Sequence, residues 1–147
     1  MPGRLIAIAV KSKPFAPVET LEVAEVTEDG GLRGDFRGAS PDRQVTLVFE
    51  ADWLAACADL GQPLPWTLRR ANLLVAGLAN PRRAGDIVRI ADVVLAITGE
   101  THPCGRMDKQ ANGLRAALEP DWRGGLTARV TRGGVVRSGD QTTIETS

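Results

Sequence analysis

The sequence predicts a mainly β protein: a closed or partly open β-barrel with a few short helices, in a single domain over residues 1–147. Three observations lead there. Short apolar or alternating segments recur between Gly, Pro and Asp signals, at the spacing of strands in an all-β barrel or sandwich. Eight such segments are present, enough to close a small barrel and remove the exposed edges an open sheet would have to protect. A chain of 147 residues also suits one core that buries roughly two thirds of the unfolded surface, and leaves no room for a second.

The first predicted strand is Leu5 to Val10, an apolar run too brief for a signal-peptide core or a bilayer span. The Pro-rich piece from Lys13 to Pro17 reads as a loop, and an alternating strand follows over Leu21 to Val26. Gly34 and Asp35 then form a turn pair within a dense cluster of Arg33, Arg37, Gly38 and Arg43. The next strand is Val45 to Phe49. A helix is expected from Glu50 to Gly61, with Trp53, Leu54, Cys57 and Leu60 on one face and Gly61 and Pro63 as the stop. That spacing assigns Cys57 to the core. Strands are expected at Leu73 to Val75, Ile87 to Ile90 and Val93 to Thr98. After a Pro/Gly turn around Cys104, a short helix carries Leu114, Ala117 and Leu118, entered at Asn112 and ended by Pro120. Thr127 to Thr131 and Thr142 to Glu145 complete the strands, while Gly85/Asp86 and Gly139/Asp140 read as turns.

Charge narrows the function classes. With 18 basic residues against 18 acidic ones, the chain has no electrostatic footprint for nucleic acid or an anionic membrane, so neither is an expected partner. The basic set is mostly arginine, whose planar fork suits phosphate and other oxyanions. Two cysteines 47 positions apart give neither a disulfide framework nor a four-ligand zinc site, which fits a reducing, cytoplasmic setting.

Chemistry concentrates in the run Thr101, His102, Pro103, Cys104, Gly105, Arg106, Met107, which holds the chain's one histidine. Pro103 and Gly105 break both helix and central strand, and the polar neighbours make a buried run difficult, so Cys104 is expected to be a loop thiol turned toward a ligand. Positive charge beside such a sulfur favours its ionised form. His102 has three readings: a hydrogen bond to the Cys104 sulfur, a proton shuttle, or an ordinary histidine bonded to backbone. An acyl-transfer enzyme would depend wholly on this pair, with no oxyanion motif in sight. The second constellation is a set of arginines at strand ends: Arg43, Arg69, Arg70, Arg123 and Arg129. They can converge on one barrel rim to meet a phosphorylated ligand, or serve singly as surface ion-pair partners.

The order of these pieces resembles one family, the MOSC domain, named for the C-terminal domain of molybdenum cofactor sulfurases. The matching motifs are Gly31-Leu32-Arg33-Gly34-Asp35, Arg43-Gln44-Val45-Thr46-Leu47, Arg69-Arg70-Ala71-Asn72-Leu73, Pro103-Cys104-Gly105-Arg106-Met107, and Arg123-Gly124-Gly125 through Ala128-Arg129-Val130 to Gly139-Asp140. The resemblance implies a β-barrel whose Pro-Cys cysteine faces a pocket. It implies that Cys104 is the thiolate ligand to molybdenum of the molybdenum cofactor (molybdopterin). It further implies that Arg43, Arg70, Arg106 and Arg129 anchor the cofactor's phosphate, that Asn72 and Gly34 line it, and that Asp35 or His102 adjusts hydrogen bonding around the metal. Catalytic roles fall to Cys104 and His102, in an oxidoreductase reducing a small, N-hydroxylated compound with electrons from an outside electron-transfer protein. The alternatives are a sulfur carrier with a persulfide on Cys104, fed by a sulfur donor because no pyridoxal phosphate lysine is identifiable in the chain, and a non-catalytic barrel binding an anionic small molecule or a protein partner.

Overall fold

Seven of the eight segments expected as strands hydrogen-bond into a closed barrel in the computed structural model, which describes residues 3–146. In chain order the elements are β1 (Gly3–Val10), β2 (Glu19–Leu21), β3 (Val23–Thr27), β4 (Gly31–Leu32), β5 (Val45–Phe49), α1 (Glu50–Leu60), β6 (Leu73–Ala76), β7 (Ile87–Ile90), β8 (Val93–Glu100), α2 (Arg106–Gln110), α3 (Leu114–Leu118), β9 (Leu126–Arg132), β10 (Gly134–Arg137) and β11 (Gln141–Glu145). Around the barrel the order is β11-β7-β8-β9-β5-β6-β1, and β1 closes onto β11 through Gly3↔Thr142 and Arg4↔Gln141. Only β5 and β6 run parallel; the helix and loop between them make the crossover that parallel neighbours require.

Alternation decides which side chains fill the barrel. Val45, Leu47 and Phe49 of β5 point inward with Leu5, Ile8, Leu73, Val75, Ile90, Leu95, Ile97 and Leu126. Each such side chain, fully removed from water, stabilises the fold by about 1.5–3 kcal/mol. The opposite face of β5 and β6 is also covered. Val48 and Leu74 point outward into a second core made with Trp53, Ala56 and Cys57 of α1, Met107 of α2 and Leu114 and Leu118 of α3. That double cover is why β5 is buried along its whole length.

Four local expectations are corrected. The segment Leu21 to Val26 is two strands: β2 lengthens the main sheet along β1, and β3 crosses to a separate three-stranded sheet ordered β10-β3-β4. Leu54 lies on the outer face of α1, 57% exposed, and Ala56 takes the inward position. The second expected helix is entered at Gly113, at φ 86°, and not at Asn112. A further short helix, α2, begins directly after the Cys104 turn. Among the described residues no helix is long and apolar enough to cross a membrane.

Candidate functional site

Buried arginine holds the Cys104 turn in place. The single turn of 3-10 helix at Trp66–Arg69 ends with Arg70 in the left-handed region (φ 62°), which sends the side chains of Arg69 and Arg70 in different directions. Arg69 runs under the end of β8. Its Nε donates to the Gly124 carbonyl (2.8 Å), and one terminal nitrogen donates to the Thr101 carbonyl (3.1 Å) and the Thr101 hydroxyl (3.2 Å). Gly124 must be glycine for this clasp, since a Cβ there would meet the Thr101 carbonyl at 2.7 Å and Pro103 at 3.2 Å. Thr101 and Pro103 are thereby buried, while Cys104 beyond them is exposed. Burial pulls the Arg69 guanidinium down to about 10; charge on Cys104 opposes that shift, while Arg37 and Arg43 reinforce it.

The Cys104 sulfur opens onto a cleft of about 460 Å³ shared with Arg43, Thr98, Glu100, His102 and Thr127. His102 is on its outer wall, its side chain 79% exposed and its Nδ1 3.5 Å from Glu100 Oε1. Cys104 and His102 therefore line one cleft.

Beside this cleft is a cluster of cations. Lys11, at the end of β1, is buried; its backbone N–H donates to Asp35 Oδ1 (2.9 Å), and its ammonium lies 5.3 Å from the centre of the Phe36 ring. Arg37 donates from Nε to Asp35 Oδ2 (3.4 Å) and from a terminal nitrogen to the Arg70 carbonyl (3.0 Å). Arg70 donates to the carbonyls of Ala16 (2.6 Å) and Pro14 (3.4 Å). Arg106, two residues past Cys104, stacks on Phe15 with its guanidinium carbon 4.5 Å from the ring centre.

Asp35 is the one carboxylate in direct contact with these groups, and it is wholly buried. Gly34, at φ 91°, turns the chain so that Asp35 points inward, where it caps the 3-10 turn Phe36–Ala39. The charge is not balanced. Burial, followed by Arg37, Arg70 and Arg106, lowers Lys11 to about 8, with Asp35 only partly compensating. Arg70 is lowered too, by burial, then Arg106 and Arg37. Among the described residues, the buried Nε atoms of Arg70 and Arg106 donate to nothing. An unpaired buried donor costs about 1–3 kcal/mol, and more when charged, so these two groups work against the stability of the folded chain.

Arg43 thus shares the cleft of Cys104, while Arg70 and Arg106 belong to the cation cluster, in which Asp35, turned inward at Gly34, fixes Lys11 and Arg37. Two expected contacts fall elsewhere. Asn72 is fully buried in the barrel wall: its Oδ1 accepts from Thr46 N (3.0 Å) and Thr46 Oγ1 (3.2 Å), and its Nδ2 donates to the Ala9 carbonyl (3.1 Å). Those bonds knit β1, β5 and β6, so Asn72 is a wall residue and not a ligand contact. Arg129 opens onto a different cleft, with Glu28, Asp29 and Gln44. Sequence reasoning names Arg69 in the arginine set and Arg37 in the cluster around Gly34 and Asp35, and misses Lys11 as a site residue. Arg69 and Arg37 were visible as arginines near turns, but Lys11 gave no signal beyond a cation closing an apolar strand.

A protein-only metal centre needs three or four protein donors. Among the described residues no three His, Cys, Asp or Glu side chains lie close enough together to hold a metal ion.

Comparison with known proteins gives the family and supports the fold. The MOSC domain family matches residues 34–143. Among solved structures, the chain is similar to the YUAD protein from Bacillus subtilis (TM-score 0.85, 16% identity, covering 100% of this chain and 97% of that one). It is also similar to YiiM from Geobacillus stearothermophilus (TM-score 0.77, 17% identity, 97% of this chain and 75% of that one) and YiiM from Escherichia coli (TM-score 0.73, 17% identity, 98% and 70%). No curated protein matches in sequence.

Proposed function

Because the chain belongs to the MOSC domain family, we propose that it binds molybdenum cofactor at the Cys104 rim and uses it to reduce a small N-hydroxylated compound. One observation carries this reading: an exposed thiol shares a cleft with Arg43 and stands two residues before Arg106, a member of a cluster of four cations against one carboxylate. A soft sulfur for a soft metal and guanidinium groups for a phosphate tail are the two donor types such a cofactor asks for.

When bound, the cofactor supplies two-electron redox chemistry at its metal. The protein's own groups do the rest. Cys104 contributes one thiolate ligand, held in register by the Arg69 clasp on Thr101 and Gly124. Arg70, Arg106, Arg37 and Lys11 grip the anionic end, and Arg43 guards the cleft mouth. His102, steadied through Nδ1 by Glu100, holds or releases a proton at that mouth. Reduction of an N-hydroxyl group consumes two electrons and two protons and releases water, with the electrons coming from an external donor protein.

The test is molybdenum quantification on protein purified anaerobically from a molybdenum-replete host. Wild type should retain the metal, Cys104→Ser should lose it, and absence of molybdenum from wild type would end this reading. The openness of Cys104 also favours a second reading, in which its sulfur receives the terminal sulfur of a desulfurase persulfide and passes it on. In that case mass spectrometry after incubation with a cysteine desulfurase shows one added sulfur on wild type and none on Cys104→Ser.

A further inference from the structure

Phe15 is the most exposed large apolar side chain among the described residues, at 79%. Its surroundings are more ordered than a surface accident requires. The loop that carries it is stiffened by Pro14 and Pro17 and held by Arg70, which donates to the carbonyls on both sides of Phe15. Arg106 covers one face of the ring at 4.5 Å. The loop from Ser12 to Pro17 surrounds an apolar cleft of about 620 Å³. Both arginines that touch this loop are the ones whose Nε atoms are buried without an acceptor, and Arg106 is two residues from Cys104. An exposed aromatic ring, covered on one face by Arg106, therefore adjoins a crowded pair of cations.

We propose that Phe15 is a ring-binding, specificity-determining residue of this site: it stacks the flat ring of an aromatic anion whose acidic group sits on Arg70 and Arg106. The charge complementarity is local, since the four cations face one carboxylate. A ring laid on Phe15 buries apolar area on both partners and gains the offset-stacking term that a saturated ring of the same size lacks. Two sources share this chemistry: the ring system of the bound cofactor, and an aromatic substrate bearing a carboxylate or phosphate. The inference rests on the proposed function only for what happens at Cys104; the ring site itself requires no metal.

The probes are benzoate and cyclohexanecarboxylate, equal in charge and similar in size but flat in one case only, titrated into the full chain and followed by ligand-observed NMR, with inorganic phosphate as competitor. Benzoate should bind roughly fivefold more tightly than its saturated counterpart, and phosphate should displace it. Phe15→Leu, which keeps an apolar side chain without a π face, should abolish the preference between the two carboxylates; Phe15→Trp should keep it. Equal binding of the two carboxylates by wild type, or a preference that survives in Phe15→Leu, overturns the proposal. Repeating the titration on molybdenum-loaded protein separates the sources: a benzoate preference removed by loading assigns the ring to the cofactor, and one that persists assigns it to a substrate. A chain that never retains molybdenum yet prefers benzoate through Phe15 refutes the proposed function alone, whereas molybdenum on Cys104 without any ring preference refutes this inference alone.

Discussion

Arg69 and Arg70 are neighbours in sequence, both 8% exposed, and they stand for two regions built on opposite terms. Arg69 belongs to the seam between barrel and helical layer, where Nε and a terminal nitrogen meet buried oxygens of Gly124 and Thr101. Arg70 belongs to the rim, where its Nε meets nothing and its nearest charged neighbours, Arg106 and Arg37, repel it. The same residue type, equally hidden from water, closes a polar network in one place and leaves one open in the other. An open network of like charges works against the folded state, which a closed network does not.

The comparison breaks first at Arg69. Arg69→Met should destabilise the protein by about 3 kcal/mol, read as a lower denaturation midpoint at unchanged slope, because it strands two buried carbonyls. Arg70→Met should cost under about 1 kcal/mol, yet weaken sulfate binding about tenfold by calorimetry, the share of one charge-assisted hydrogen bond. If the two variants lose stability equally, the distinction between seam and rim fails.

Lys11 sharpens the contrast through pH. Its folded value of about 8 lies below the ordinary lysine range, so the charged form is disfavoured by folding. The unfolded chain then holds more protons between about pH 8 and 10, and this group's contribution to stability rises with pH across that window. Anion affinity moves the other way. Sulfate, whose charge is constant there, should bind more weakly as pH climbs through 8, and Lys11→Met should flatten that profile. The smallest effect is expected at Arg33, whose bond to Glu25 (3.3 Å) joins two exposed side chains. Arg33→Ala should shift thermal unfolding by less than about 0.5 kcal/mol, the baseline against which the rim variants are judged.

How much of this was legible in the sequence follows the range of the forces involved. The barrel strands were readable because burial imposes alternation over consecutive residues, as in Val45 to Phe49. The division at Glu22 was not, since β2 and β3 continue one alternating run while serving different sheets. Leu54 was misplaced because a helix with a broad apolar composition has more than one plausible inner face. At the site, the Pro-Cys-Gly turn exposed Cys104 by local chemistry alone. Lys11, Arg37 and Arg69 come from three separate segments, and only tertiary closure gives them a shared charge environment. Asn72 was expected at the ligand because it neighbours Arg70 in sequence, but the left-handed turn at Arg70 sends the chain into the wall immediately afterwards.

The pairing of β1 with β11 joins segments nearly the whole sequence apart, through Gly3↔Thr142. During synthesis the seam can be sewn only after the last strand leaves the ribosome, and until then β1 and β7 present open edges to other nascent chains. Folding of this topology is accordingly slow relative to helical proteins of its size, and premature termination before residue 141 leaves a sticky, aggregation-prone product in place of a weakened barrel.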